Sequence, residues 1–319
     1  MNAGRWVLIA ANPKSGAGPT GQLVKDLADA IERLCFNVEV IRSLETLKET
    51  ADRLHNESKL ACVVCAGGDG TVGVVANLLS HEIPLLIFPL GTENLLAKHW
   101  GMTRDIEATC TTLMGNRTVH MDVGSANGKL FLVMLGCGFD AEVVRQMDLR
   151  RKGHITRWSY TMPILCALWN YAFPQLQWSA SSNLQTCEGQ AAWIFVFNVP
   201  RYGGNLSFYS DADPTDGKLD LCTFKRSGYW AGVNYLFRVW RSSHRQIDDF
   251  KHTTVKRLKI EAPIGPDGKE VRVPYQLDGD PGGFLPLNVE LLHGRLKLIV
   301  PESTAASDPL PVISLAPTT

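Results

Sequence analysis

The chain has no stretch near the ~20 apolar residues that span a bilayer, so no transmembrane segment is expected. It also lacks a charge of one sign. Lys and Arg total 32 and Asp and Glu total 32, a formal net charge of +0, which removes any global electrostatic case for nucleic acid. Any basic surface must be local. Residues Met1 to Ala11 have neither a charged leader region nor a clear cleavage site and run into a glycine-rich loop, so they read as a first strand and not as a signal peptide. Cysteine is present but lacks the company zinc needs. Cys62-Val63-Val64-Cys65 has C-x-x-C spacing, yet no second pair or nearby His completes a ligand set. In a strand, residues three apart point to opposite faces, so these are small reduced core residues, as a cytoplasmic protein would carry. No internal repeat is visible. The loop Asn12-Pro13-Lys14-Ser15-Gly16-Ala17-Gly18 lacks the G-K-[ST] ending of a Walker loop.

What is there is a phosphate-type turn. The apolar run Leu60 to Ala66 leads directly into Gly67-Gly68-Asp69-Gly70-Thr71. A buried strand therefore enters a turn almost without side chains, with a helix expected from about Thr71. Glycines allow close approach of backbone to a ligand, and the free amides and dipole at a helix start attract phosphate. A carboxylate beside phosphates makes sense as a Mg²⁺ ligand or a base, which points Asp69 toward phosphoryl transfer.

The first ~120 residues alternate strand and helix: strands at 5–11, 38–41, 60–66 and 84–88, with helical spacing at 20–34, 44–55 and 71–79. That pattern implies a parallel sheet covered on both faces, with ligands at the C-terminal strand ends. Three glycine-bearing loops follow three strands: 12–18, 67–71 and Pro89 to Ala97. They are expected to share one rim. After Asp122 the pattern turns to strands at 129–135, 191–199, 219–224, 254–262, 270–277 and 287–300, interrupted by helical stretches near 156–171 and 229–240. The expected organisation is an α/β domain over 1–121, a mainly antiparallel second domain over 122–300 and a tail over 301–319 that is flexible or docks back, with the active site in the interdomain cleft.

The three loops in this order resemble the lipid-kinase superfamily of diacylglycerol, sphingosine and ceramide kinases, including its bacterial soluble members. The resemblance continues through Met121-Asp122-Val123-Gly124, Gly136-Cys137-Gly138-Phe139-Asp140-Ala141, Asp213-Pro214-Thr215-Asp216-Gly217-Lys218-Leu219-Asp220 and Leu277-Asp278-Gly279-Asp280-Pro281, covering roughly residues 5 to 300. It implies an α/β nucleotide-binding domain over 1–121 joined to a β-sandwich over 122–300, with ATP and Mg²⁺ in the cleft. Asn12, Ser15, Gly67, Gly68, Asp69, Gly70, Thr71, Gly91, Thr92 and Asn94 would line the nucleotide site. Asp280 would be the base, helped by Asp69. A structural Mg²⁺ would sit on Asp216, with backbone carbonyls near Asp213 and Lys218. Read without the upstream loops, Asp278-Gly279-Asp280 is a hairpin turn and Asp213/Asp216 are turn residues.

The sequence departs from the family at three places. Val74 stands where a Glu often follows GGDGT, the late motif ends in Asp280 and not Glu, and Leu95 stands where many members have Asp. The activity implied is ATP-dependent phosphorylation of a hydroxyl on diacylglycerol or a related lipid, part of phospholipid metabolism. The alternatives are a kinase of a soluble nucleotide such as NAD, for which no nicotinamide-site motif is found, and a degraded nucleotide or lipid sensor. Two clusters of basic and aromatic residues, Arg145 to Phe173 and Trp230 to Arg245, suit a peripheral membrane interface, against a reading as a solvated edge beside core aromatics. The lipid would be met at a membrane surface, nucleic acid is not expected, and a homodimer stays open.

Overall fold

A computed structural model describes residues 4–11, 19–149, 169, 171–182, 186–202, 209, 211–266 and 268–302. Its first half is built from β1 (Trp6–Ala11), α1 (Pro19–Glu32), β2 (Asn37–Ile41), α2 (Leu44–Asn56), β3 (Leu60–Gly67), α3 (Asp69–Leu78), β4 (Leu85–Pro89), α4 (Leu95–His99) and α5 (Ile106–Gly115). Strands β2, β1, β3 and β4 pair in parallel in that order. β3 is buried along its whole length, as expected of a parallel strand covered on both faces. Its alternation sends Cys62 and Val64 into one core with Val24, Leu27 and Ile31 of α1. Val63 and Cys65 enter another core with Leu47 and Leu54 of α2 and Val72 and Val75 of α3. The C-x-x-C pair is thus split across the sheet. Burial pushes the Cys62 thiol up to about 12, and raises Cys65 further.

The second half contains β5 (Thr118–Ala126), β6 (Lys129–Phe131), β7 (Met134–Gly138), α6 (Phe139–Leu149), β8 (Leu176–Ser181), β9 (Thr186–Ala191), β10 (Trp193–Phe197), β11 (Leu219–Phe224), α7 (Tyr229–Trp240), β12 (Phe250–Val255), β13 (Arg257–Glu261), β14 (Pro274–Leu277), β15 (Asp280–Phe284) and β16 (Leu287–Ile299). A second sheet runs β12-β11-β10-β7-β14-β15, antiparallel throughout. It packs on the extension of the first sheet through Leu135, Ile194, Val196, Leu221, Leu258 and Val289, which makes a β-sandwich beside the α/β layer.

The two halves share a sheet. The end of β16 pairs in parallel with β4 at Leu298 and Leu85, and its length pairs antiparallel with β5. The last strand therefore returns to the layer built by the first ninety or so residues.

Several segment expectations need correction. α3 starts at Asp69, two residues before Thr71. The run 254–262 is two strands: Val255 pairs with Leu219 in the second sheet, Leu258 with Val289 in the first, and the chain crosses between sheets at Lys256. The run 129–135 divides into β6 and β7, because residues 132–134 turn their amides toward Asp278. Of 270–277 only 274–277 is strand. Helices α5 and α6 had no counterpart in the periodicity reading. Of the helical stretch expected near 156–171 only residues 169 and 171 are described, and residues 150–157 and 303–319 lie outside the described residues.

Candidate active site

The Gly67–Thr71 turn and the Pro89–Ala97 loop meet backbone to backbone. The Leu90 amide donates to the Gly67 carbonyl at 2.9 Å. A Cβ on Gly91 would lie 2.6 Å from the Gly68 Cα and 2.7 Å from Asn94 Oδ1, closer than any side chain tolerates, so this approach requires glycine. Asn94 sits in the left-handed region at φ 49° and closes the loop, donating from Nδ2 to the Gly91 carbonyl (2.8 Å) and accepting the Gly91 amide on Oδ1 (3.0 Å). Gly68 caps α3 and offers no side chain to its first turn. Thr71 folds its side chain over the Cα of Gly67. Thr92 is exposed on the same loop. Asn12 and Ser15 lie outside the described residues.

Asp69 occupies the first turn of α3 but serves a different helix. Its Oδ2 accepts the Leu95 amide (2.8 Å) and its Oδ1 the Leu96 amide (3.1 Å), so it caps α4 from across the rim. Burial raises its pKa, opposed by those two backbone bonds.

The late motif forms a two-residue hairpin. Leu277 pairs with Asp280, and Asp278 (φ 53°) and Gly279 (φ 86°) make the turn, the left-handed pair an Asp-Gly hairpin favours. Asp278 points inward. Its carboxylate accepts the amides of Leu132 (2.7 Å), Val133 (2.8 Å) and Met134 (2.9 Å). Burial nevertheless pushes its pKa up to about 6, with the charge of Asp69 acting in the same direction. Gln276, on the same strand, accepts the Gly279 amide (2.8 Å) and donates to Asp140 Oδ2 (2.9 Å), while the Tyr202 hydroxyl donates to Asp140 Oδ1. Burial also raises the pKa of Asp140.

Asp280 follows the turn and is exposed. Its Oδ2 lies 3.6 Å from where a Cβ of Gly70 would stand. The hairpin acid therefore faces the open first turn of α3, with the converged glycine loops beside it. Val74, one helical turn beyond Gly70, is 45 % exposed.

The Asp213–Asp220 segment is tied in from below. Asp122, fully buried, accepts the amides of Gly217 and Gly294 (2.7 Å each) and donates its own amide to the Pro214 carbonyl. Within the segment, Asp213 Oδ1 accepts from Thr215 N (2.9 Å) and Oγ1 (2.7 Å), and Asp216 Oδ1 accepts from Lys218 N (3.0 Å). Lys218 Nζ stands 3.5 Å from Asp216 Oδ2. Among the described residues, no three His, Cys, Asp or Glu side chains gather as a metal cluster. His99, at the end of α4, falls to about 4 through burial and the Arg201 charge, with Asp213 opposing, and is neutral at neutral pH.

The sequence reading passed over Asp278, Gln276, Asp140, Asp122 and Tyr202 as site-builders. Asp122, Asp140 and Asp278 lie inside quoted motifs, so the motifs were a signal for them. Gln276 and Tyr202 carried none.

Two family models match in series: the diacylglycerol kinase catalytic domain over residues 6–126, and the YegS C-terminal NAD kinase beta sandwich-like domain over 133–300. The chain belongs to the diacylglycerol kinase and YegS-like lipid kinase family. A diacylglycerol kinase of Mycobacterium tuberculosis is 26 % identical over 92 % of this chain and 95 % of that protein. One of Bacillus subtilis is 23 % identical over 76 % and 78 %. A crystal structure of a diacylglycerol kinase from Bacillus anthracis superposes with a TM-score of 0.64 at 21 % identity, covering 95 % of this chain and 98 % of that one, a likeness of fold. As a member of this lipid kinase family the chain is a phosphotransferase with an alcohol group as acceptor, and its family uses ATP. Among its described residues no helix is long and apolar enough to cross a membrane.

Proposed function

We propose that this lipid kinase transfers the γ-phosphoryl group of ATP to a hydroxyl of diacylglycerol or a related lipid, met at the surface of a membrane. The observation that carries the reading is the approach of Asp280 to Gly70 beside the contact of Gly68 with Gly91. It brings together the uncapped start of α3, a side-chain-free rim and a carboxylate, which supports a site for an anion beside a base.

The residues fit a polyphosphate. The N-terminus of α3 has no side-chain cap and offers amides and the positive end of its dipole. ATP with Mg²⁺ would supply the phosphoryl group and the positive charge that offsets charge developing on the transferred group. Asp69 is the nearby acid on this rim and would hold that metal while keeping α4 in place. Asp280 would orient the acceptor hydroxyl and take its proton as the new oxygen–phosphorus bond forms and ADP departs. A second, structural Mg²⁺ on Asp216, with carbonyls near Asp213 and Lys218, belongs to the same proposal. Oxygen ligands of this kind suit a hard cation.

The test is purified protein with ATP, Mg²⁺ and a panel of lipid and soluble nucleotide acceptors, run beside Asp69→Asn and Asp280→Asn. Transfer to a lipid, lost in Asp280→Asn, supports the reading. Transfer to NAD would favour a nucleotide kinase, to which the NAD kinase-like description of the second domain lends some support. ATP binding without transfer would favour a sensor, the reading to which Val74 and Asp280 lend support.

A further inference from the structure

Helix α7 has two apolar faces, and among the described residues only the inner one is covered. Its inner face packs Gly232, Tyr235 and Val239 on the second sheet. The Tyr235 ring meets Phe224 at 4.7 Å and Trp193 at 5.8 Å, and its hydroxyl accepts the Arg226 amide at 3.0 Å. The helix is therefore fixed in orientation. The opposite face carries its largest side chains into water: Trp230 is 80 % exposed, Trp240 62 % and Phe237 53 %. By the 3.6-residue repeat these three lie within one sector of the helix. Trp169 extends the patch at the N-terminal end, 5.9 Å from the Tyr229 ring, and is itself exposed.

A surface helix of a soluble domain normally turns polar residues outward, and a contiguous exposed apolar patch marks an interaction site. The charge around it narrows the partner. Residues 227–247 contain no Asp or Glu but include Arg238, Arg241 and Arg245, in a chain whose charges balance overall. Arg241 lies over the Phe237 ring at 5.8 Å, at the edge of the aromatic face. Arg245 is offset by its ion pair with Asp211, whereas Arg238 donates to the neutral Asn234 side chain and keeps its charge, so Arg238 and Arg241 supply the positive charge on this helix. Trp and Tyr rings with an arginine margin match the headgroup zone of a bilayer, where rings sit at the boundary and cations meet anionic lipid.

We infer that the outer face of α7 is the docking surface by which this protein seats on an anionic lipid bilayer. The inference rests on the lipid-kinase reading, and it names the element that would bring the cleft to its substrate. α7 lies on the same face of the second sheet as α6, since Phe139 of α6 stacks on Trp193 at 4.6 Å. Helix α6 in turn supplies Asp140 to the network that holds the Asp280 hairpin.

The test compares the full chain with the triple variant Trp230→Ser, Phe237→Ser, Trp240→Ser. Binding is read by co-sedimentation with vesicles of phosphatidylcholine alone and with a quarter phosphatidylglycerol, and by quenching of tryptophan fluorescence with brominated lipid. The three side chains are external, so the thermal midpoint should hold, which checks the fold. We expect the wild type to bind the anionic vesicles at least tenfold more tightly than the neutral ones. The triple variant should lose at least tenfold of that binding. Unchanged vesicle binding by the variant overturns the inference. So does a wild-type dimer that the variant converts to monomer in sedimentation equilibrium, because a second copy would then be the occupant. Phosphoryl transfer to a short-chain, water-soluble diacylglycerol separates the two readings. Equal transfer by both proteins supports docking as the lost step. No transfer by the wild type overturns the kinase reading, and the vesicle result then judges the α7 surface by itself.

Discussion

Asp69 accepts the backbone amide of Leu95 at 2.8 Å across 26 residues of sequence, so the acid of the GGDGT turn holds the Pro89–Ala97 loop in place. Two roles are thereby separable. A residue that only binds metal or moves a proton would leave stability alone when replaced. A residue that caps α4 would not. We expect stability to fall in the order wild type, Asp69→Asn, Asp69→Ala, because Asn keeps one acceptor for the Leu95 and Leu96 amides and Ala keeps none. The full loss should be about 1–2 kcal/mol, as for other helix caps. Urea unfolding of the three proteins reads it, and equal stability in all three rejects the capping role. Transfer activity should fall in both variants, with a rise in the KM for ATP as the loops part.

Asp278 makes stability depend on pH in an unusual direction. Its ordinary value is 3.8 and burial moves it to about 6 in the folded protein. Between those values the folded state binds more protons than the unfolded one, so this group's contribution falls as pH rises. The contribution is fully present below about pH 4 and is lost as pH passes 6. It is worth up to about 3 kcal/mol. Other carboxylates titrate in the same range, so the measurement is the difference between wild type and Asp278→Asn at pH 4, 5, 6 and 7. The advantage of the wild type should shrink across that series. An advantage that grows with pH contradicts the burial argument.

The proposed ion on Asp216 has a readout that needs no turnover. Oxygens of Asp213 and Asp216 are partly engaged by Thr215 and Lys218, so a bound Mg²⁺ would compete with turn bonds and add its own binding free energy. A ligand present at a hundredfold excess over its Kd stabilises the folded state by about 2.7 kcal/mol. Without nucleotide, Mg²⁺ should therefore raise the thermal midpoint over that in EDTA, and Asp216→Asn should abolish the rise. A rise that persists undiminished in the variant removes Asp216 as the ligand.

What could be read from sequence was local. The apolar run 60–66 and the glycines after it carry their own conformational preference, and β3 and the turn stand where that preference puts them. The same is true of Tyr229–Trp240, whose helical spacing is visible without any partner. Long-range pairings were not legible. Nothing near Leu298 says that it will lie beside Leu85, because strand partners are chosen by the whole sheet. The Asp-Gly turn at 278–279 announces a hairpin, yet the three amides that Asp278 accepts come from residues 132–134. Helix α6 was hidden because Gly136 to Ala141 reads as a glycine-rich turn, and only the structure shows the chain entering a helix at Phe139. That the Gly67–Thr71 and Pro89–Ala97 loops share a rim was expected from the alternation of strands and helices, but the contact of Gly68 with Gly91 and the link through Asp69 were not.

The Asp280 hairpin is held by side chains that lie behind its turn, and that gives the sharpest kinetic expectation. Gln276 accepts the Gly279 amide and donates to Asp140, which in turn receives the Tyr202 hydroxyl. None of these side chains is exposed at the α3 start, so they act on Asp280 through the turn. If Asp280 takes the acceptor proton, Asp280→Asn should cost at least ~10²-fold in kcat, within the range general-base removal produces. Asp280→Glu restores the acid the family usually carries and lengthens the reach by one methylene. It should stay within about tenfold of the wild type. Gln276→Ala should lower kcat by ~10- to 100-fold, the scale of an ångström-sized displacement, and leave the KM for ATP nearly unchanged because the glycine rim is intact. A Gln276→Ala enzyme with normal kcat would mean that the hairpin is held by Asp278 alone. An Asp280→Asn enzyme with normal kcat would mean that the proton leaves by another route.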